Sequence, residues 1–191
     1  MDEIATNPDP ANPSNPGPSD PGTYLIFEFG GVFAALDIDR VREVVDPAPV
    51  TPVPRMPAYL LGAMNLRGHV LTVLDLGIKM GIGPARPGAD ACVVVVEASA
   101  GGEAVRLGIP VDRVLRVVSL PPEAIAPPPR LGLGIRPEMV RGVADLDGVF
   151  PLVLDLDRAL ADPAVGPGMD AVPAPEPDRE GKEPLLDLDR S

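Results

Sequence analysis

Fifteen residues decide the fold, because they contain two apolar runs of strand length on either side of a glycine turn: Gly62-Ala63-Met64-Asn65-Leu66-Arg67-Gly68-His69-Val70-Leu71-Thr72-Val73-Leu74-Asp75-Leu76. Apolar and β-branched runs that flank a polar turn with glycine are typical of a β-hairpin. The turn carries one cation, Arg67, and the second strand ends at Asp75. The stretch therefore predicts a pair of strands with an arginine at their connection.

The same pattern is repeated downstream at an offset of 142 − 62 = 80 residues. The second copy reads Gly142-Val143-Ala144-Asp145-Leu146-Asp147-Gly148 and continues as Leu152-Val153-Leu154-Asp155-Leu156, and it aligns without a gap. Asp147 stands where the first copy has Arg67. The copies are therefore predicted to share a fold while their turns carry opposite charge.

A second pair of related segments precedes the two hairpins. Residues 36–45 and 109–118 align at an offset of 112 − 39 = 73, and both contain Asp-Arg-Val and Val-Val. Glu43 in the first corresponds to Arg116 in the second, so the charge is reversed here as well. Each copy is about as long as a small barrel of short strands needs. We expect two small barrels, over about 24–83 and about 90–162, that pack face to face over a shared apolar seam.

Most of the net charge of −12 lies at the two ends of the chain. Residues 1–23 carry four acids and no bases, and 163–191 carry seven acids and three bases, which leaves −4 for 24–162. Both ends are rich in proline and polar residues and cannot offset the entropy of ordering, so we expect disordered tails over 1–23 and 163–191. A core with a single lysine argues against nucleic acid as the main partner.

The sequence also bears on location. The N-terminus opens with acidic residues and lacks the basic and apolar regions of a secretory signal. No apolar run approaches the ~20 residues of a membrane span. We therefore expect a cytoplasmic protein without direct membrane insertion.

Few residues are placed for catalysis. The core contains no nucleophile elbow, no phosphate loop and no metal-binding cluster, so the sequence predicts no enzyme, no metal and no cofactor. His69 is expected to be solvated and Cys92 to act as a small buried hydrophobe. Asp75 and Asp155 end equivalent strands, and their symmetry favours capping of the helical turns that follow over acid-base catalysis.

Arg67 is the strongest candidate for recognition. Arginine is the cation best suited to fork-like pairing with a carboxylate, which here belongs either to a partner or to Glu43. The copy of the hairpin that lacks Arg67 has an acid in its place. From spacing alone, a solvated arginine and a recognition residue remain equally good interpretations.

These motifs resemble the CheW family, the coupling proteins of bacterial chemosensory arrays. The resemblance covers most of 24–162, and its most specific part is Asn65-Leu66-Arg67-Gly68. It implies an all-β fold of two five-stranded SH3-like β-barrels without catalytic activity. It also implies a scaffold that joins the cytoplasmic tips of methyl-accepting receptors to the regulatory domain of the histidine kinase CheA. Arg67 and its turn, with Glu43 as a partner, would form the partner-binding surface.

The sequence departs from the family pattern in two ways. Asp37 and Thr72 stand where the family often has proline, and the acidic, proline-rich tails are long. An alternative is therefore an adaptor of a non-flagellar chemosensory pathway that controls pili or development. From other classes, a small-barrel nucleic-acid binder would need a basic, aromatic face, and a hydrolase would need a convergent pocket.

One further repeat lies near the C-terminus. Residues 184–190 read Pro-Leu-Leu-Asp-Leu-Asp-Arg and repeat 151–158 with one residue fewer. Chance in a chain rich in Asp and Leu is the simpler of two explanations. A sharper hypothesis is that the tail mimics the closing strand and adds to a sheet edge on a neighbouring protein.

Overall fold

The computed structural model describes residues 21–100, 103–128 and 135–161. The predicted tails, 1–23 and 163–191, therefore lie outside the described residues except at 21–23. The first strand begins at Gly22, which is two residues before the predicted start of the folded unit at residue 24.

The described residues are mostly β. The strands are β1 (Gly22–Phe29), β2 (Val32–Asp37), β3 (Val41–Val45), β4 (Val50–Thr51), β5 (Leu60–Leu66), β6 (His69–Leu74), β7 (Cys92–Ala100), β8 (Glu103–Val111), β9 (Arg113–Leu120), β10 (Ile125–Ala126), β11 (Val140–Ala144) and β12 (Leu152–Leu154). The α-helices are α1 (Leu76–Met80) and α2 (Leu156–Leu160), and short 3-10 turns cover Ile38–Arg40, Pro122–Ala124 and Pro137–Met139. The predicted all-β class is confirmed, as is the hairpin of β5 and β6.

The strands form two sheets of six. Sheet 1 has the order β10-β11-β12-β2-β1-β9, and sheet 2 has the order β3-β7-β8-β6-β5-β4. Five strands were predicted for each unit. The additional strands, β4 and β10, are two-residue segments at equivalent edges of the two sheets.

Each sheet combines strands from both predicted units, 24–83 and 90–162. The first hairpin, β1 and β2, belongs to sheet 1 with β9 to β12, whereas β3 to β8 form sheet 2. The chain therefore crosses between the sheets twice, at the Asp-Arg-Val segments that contain Asp39 and Asp112. A sequence repeat defines a unit of structure, but it contains no information on which copy a hairpin will pair with.

The alternation of side-chain direction along β1 produces one half of the shared apolar seam. In β1 the side chains of Leu25, Phe27 and Phe29 enter a core that both sheets share, while Tyr24 and Ile26 enter a core within sheet 1. Successive side chains of a strand point to opposite faces, so a strand that is apolar throughout needs cover on both sides. The predicted face-to-face packing is confirmed.

Strand β7 plays the same part in sheet 2. Val94, Val96 and Ala98 enter the shared core, and Val93 and Val95 enter a core within sheet 2. The two strands therefore hold the sheets together from equivalent positions.

The first residue of each hairpin stretch is glycine for a steric reason. A Cβ at Gly62 would lie 2.0 Å from the carbonyl oxygen of Thr51, and one at Gly142 would lie 2.5 Å from that of Ala126. These carbonyls belong to β4 and β10, so the absence of a side chain allows each short strand to approach its hairpin.

The predicted roles of Asp75 and Asp155 as helix caps are confirmed. The Asp75 carboxylate is buried and accepts hydrogen bonds from the backbone N–H groups of Ile78 and Ala85, both at 3.0 Å. The carboxylate of Asp155 accepts one such bond, from Arg158 at 3.1 Å, and is partly exposed. Asp75 therefore anchors both α1 and the connection that follows it.

Substitution of the two caps should have unequal effects on stability. Asp75→Ala leaves two backbone N–H groups without their acceptor and should cost about 2 kcal/mol of unfolding free energy, whereas Asp155→Ala should cost about 1 kcal/mol. Urea denaturation of the two variants and the wild type measures this difference. An equal loss in both variants would contradict the role assigned to the second hydrogen bond of Asp75.

Candidate functional site: the groove at the Arg67 turn

The turn between β5 and β6 holds Arg67 in a left-handed backbone conformation. The φ angles are +53° at Arg67 and +88° at Gly68, which is the pattern of a two-residue type I′ hairpin. The side-chain oxygen of Asn65 accepts a hydrogen bond of 2.8 Å from the backbone N–H of Gly68. Asn65 and Gly68, two of the five predicted site residues, thus shape the turn that presents Arg67.

Arg67 forms an ion pair with Glu43. The guanidinium Nη2 lies 2.8 Å from Oε2 of Glu43, on strand β3 at the opposite edge of sheet 2. The Arg67 side chain is nevertheless 75% exposed. The structure therefore brings together the predicted pair and leaves the cation accessible to a partner.

A groove of about 620 Å³ opens beside this ion pair. Its apolar lining includes Leu66, Val70, Leu71, Val95 and Ala104, and its polar lining consists of Arg42, Glu43, Arg67, His69, Glu97 and Arg106. We call it the Arg67 groove. Three predicted site residues, Glu43, Leu66 and Arg67, line it, while Asn65 lines a smaller cavity of about 290 Å³ next to it. His69 is exposed at the mouth of the groove.

A network on the far side of the groove was not predicted from the sequence. The Arg42 guanidinium donates to both oxygens of the Glu97 carboxylate, at 3.1 and 2.7 Å. Arg106, opposite Glu97 in the pairing of β7 with β8, approaches the same carboxylate at 3.5 Å. The alternation of β7 and β8 is the signal that places Glu97 and Arg106 on one face, but it required the register of the two strands.

The network affects the ionisation of its members. The hydrogen bond from Arg42 lowers the pKa of the Glu97 carboxyl below its ordinary value, and the hydrogen bond to Glu97 raises the pKa of Arg42. A lowered carboxyl pKa means that this pairing favours the folded state above the ordinary pKa of glutamate and loses that effect as the pH falls through the lowered value. The pair of Arg42 and Glu97 therefore keeps both charges at neutral pH.

Cys92 lies outside the groove and is partly buried. Burial raises the pKa of its thiol. The thiol therefore stays protonated at neutral pH, as its predicted role of a small hydrophobe requires.

The second copy of the hairpin has the same turn with reversed charge. The φ angles of Asp147 and Gly148 are +55° and +85°, and the carboxylate of Asp145 accepts a hydrogen bond of 3.2 Å from the N–H of Gly148. Asp147 faces Arg116 at 3.7 Å. Both charge differences noted in the sequence thus belong to one ion pair, which has opposite polarity in the two sheets.

The surroundings of the two turns differ as well. Among the described residues, the large hydrophobic side chains with the greatest exposure are Val44, Leu115, Val117, Val149 and Phe150. All except Val44 lie in the second copy, and Phe150, which is 61% exposed, occupies the position of Val70 in the groove. We call Leu115, Val117, Val149 and Phe150 the β9 apolar surface.

None of the helices in the described ranges is long and apolar enough to cross a membrane. The two α-helices contain five residues each.

Comparison with known proteins identifies the family. The model of the CheW-like domain matches residues 23–164. A probable chemotaxis protein CheW of Rhizobium etli is 29% identical over 138 residues, which are 72% of this chain and 86% of the relative. The chemotaxis protein CheW of Klebsiella aerogenes is 31% identical over 72% of this chain and 81% of its own.

A solved structure supports the same assignment. The crystal structure of the scaffolding protein TtCheW from Thermoanaerobacter tengcongensis superposes with a TM-score of 0.66 at 27% identity, and the match covers 83% of this chain and 96% of that one. The chain therefore belongs to the CheW-like domain family, whose members are non-enzymatic scaffolds of chemotaxis signal transduction.

Proposed function

We propose that this chain couples methyl-accepting receptors to the histidine kinase CheA in the cytoplasm through two different surfaces. The Arg67 groove receives the regulatory domain of CheA, and the β9 apolar surface receives the receptor tip. The observation that carries the proposal is the reversal of one ion pair between two otherwise equivalent turns. Two equal surfaces would favour equal partners, whereas a scaffold that joins two different proteins needs two unequal surfaces.

The groove suits a folded domain with a carboxylate at its contact point. Arg67 is held by a turn of defined geometry, and the guanidinium can pair with two oxygens of one carboxylate at once. Its pair with Glu43 is exposed, and an exposed ion pair contributes only about 0–1 kcal/mol, so exchanging Glu43 for a partner's acid costs little. The apolar lining adds area that a partner can bury.

The β9 apolar surface suits the apolar stripe of a helical hairpin. Val117 is 52% exposed and Phe150 is 61% exposed, and aromatic residues at the centre of a contact contribute strongly to binding. Exposed hydrophobic side chains that form one patch on an otherwise charged surface are typical of an interaction site, and we propose that these four residues do so when the receptor binds. The receptor tip is the partner in the proposed complex that consists of helices.

The mechanism of such a scaffold is positional. It holds a receptor and a kinase domain in a fixed relation, so that a change in the receptor's conformational equilibrium shifts that of the kinase. The core that β1 and β7 share would hold the two binding surfaces, one on each sheet, in a fixed relative position.

Charge reversal at the turn should remove kinase binding. Arg67→Glu should weaken affinity for the purified CheA regulatory domain by about tenfold or more, because it places two acids together and repels the partner's acid. Isothermal titration calorimetry measures this affinity. Arg113→Glu is the matched control, since Arg113 forms an ion pair with Glu28 of the same 2.8 Å length away from the groove. An unchanged affinity in Arg67→Glu, or an equal loss in the control, would contradict the assignment of the groove.

Removal of the exposed aromatic ring should affect the other partner. Phe150→Ser should weaken binding of a receptor-tip fragment by about tenfold while leaving the affinity for the kinase domain within a factor of about two. Arg67→Glu should show the opposite selectivity, so each variant controls for the folding of the other. If both variants lose both partners equally, the division of the two surfaces is wrong.

A further inference from the structure

We propose that the C-terminal segment 183–191 docks in the Arg67 groove of its own chain and competes with the partner that binds there. This inference rests on the function proposed above, because it names a regulator of the same groove. The segment is an acidic, leucine-rich ligand, and the groove is its complement in both charge and polarity.

The segment offers two kinds of chemistry. It reads Glu183-Pro184-Leu185-Leu186-Asp187-Leu188-Asp189-Arg190-Ser191. The segment contains three leucines, three acids and one base, so it is partly apolar and its side chains carry a net charge of 1 − 3 = −2. A ligand with this composition needs an apolar floor and a cationic rim.

The groove provides both. Leu66 and Val70 contribute to its apolar lining, and three arginines stand against two glutamates around it, a net charge of 3 − 2 = +1. Electrostatic complementarity of this kind favours an anionic ligand over a cationic one. The groove therefore selects for an acidic segment with large apolar side chains.

Arg106 has capacity to bind a further carboxylate. Arg42 holds Glu97 at 2.7 and 3.1 Å, whereas Arg106 reaches the same carboxylate at 3.5 Å with 68% of its side chain exposed. A guanidinium has five N–H donors, so this single long contact leaves most of them available. Arg67 lines the same groove and is 75% exposed, so two accessible guanidiniums border it.

The last described helix, α2, contacts residues that are near groove residues in sequence. In α2, the Asp157 carboxylate accepts hydrogen bonds from the Arg40 guanidinium at 2.5 Å and from the backbone N–H of Ser99 at 3.2 Å. Arg40 and Ser99 are each two residues away in sequence from a groove residue, Arg42 and Glu97. At about 3.3 Å per residue along a strand, the backbone N–H of Ser99 that Asp157 contacts lies about 7 Å along β7 from Glu97.

The intervening chain is long enough. Residues 162–182 connect the last described residue to the segment, and 21 residues span at most about 70 Å when fully extended. A connection that covers the distance raises the local concentration of its segment to the order of millimolar. An intrinsic dissociation constant of about 100 μM would then fill the groove in most molecules.

The similarity of this segment to 151–158 does not favour a different position. The strand formed by the earlier copy, β12, lies inside sheet 1 between β11 and β2. A mimic of it finds that position already occupied. Addition to a sheet edge of a neighbouring protein, the hypothesis from the sequence, becomes one outcome of the test.

The test uses the full chain and a labelled peptide. A fluorescein-labelled peptide of residues 183–191 is titrated with the full-length variant Leu186→Ser/Leu188→Ser, and binding is followed by fluorescence anisotropy. Saturable binding is expected. Arg67→Ala and Arg106→Ala in this background should each weaken it about fivefold or more, and Arg113→Ala should change it less than twofold. The wild-type chain should bind the peptide about tenfold more weakly, because its own segment occupies the groove.

Three results would overturn the proposal. The first is the absence of peptide binding. The second is binding that is insensitive to Arg67→Ala but lost in Phe150→Ser, which would place the segment on the β9 apolar surface. The third is a dimer of the wild-type chain in analytical ultracentrifugation that Leu186→Ser/Leu188→Ser abolishes, which would make a second copy the receptor of the segment.

The assay is independent of the proposed function. It contains neither kinase nor receptor, so its failure leaves the coupling role untouched. Conversely, peptide binding in the groove would stand even if the CheA regulatory domain did not bind there.

Discussion

The fold depends on one apolar core that two sheets share. Strands β1 and β7 are apolar on both faces, and each places alternate side chains in the shared core and in the core of its own sheet. Each large side chain buried there contributes about 1.5–3 kcal/mol relative to an exposed one. Neither sheet alone can cover both faces of its apolar strand, β1 or β7, so the two sheets stabilise each other. The N-terminal hairpin completes sheet 1 by pairing with strands from the end of the chain.

This arrangement leaves the hairpin turns outside the core. Arg67 and Asp147 adopt nearly the same φ, and each turn is closed by the same type of side-chain hydrogen bond. The backbone of the turn therefore tolerates either charge. Once the core and the glycines have set the geometry, the residue at the turn can differ between the two copies, and the two sheets present an ion pair of opposite polarity.

The sequence predicted the features that depend on local chemistry. The hairpin, the two helix caps and the repeat follow from residue types and spacing, and the structure contains each of them. The ion pair of Arg67 with Glu43 was one of two pairings that the sequence left open. Features that depend on pairing between distant segments were missed. The exchange of the N-terminal hairpin between copies and the contact of Arg42 with Glu97 both require a strand order that the repeat leaves open.

The central claim is that Arg67 serves recognition rather than the stability of sheet 2. The most direct measurement compares wild type, Arg67→Glu and the swapped pair Arg67→Glu/Glu43→Arg, each by urea denaturation and by affinity for the CheA regulatory domain. The swap gives the first turn the polarity that the second turn has naturally. The account predicts that it restores stability but not affinity. Recovery of affinity together with stability would contradict the claim, because the ion pair would then act only on the fold.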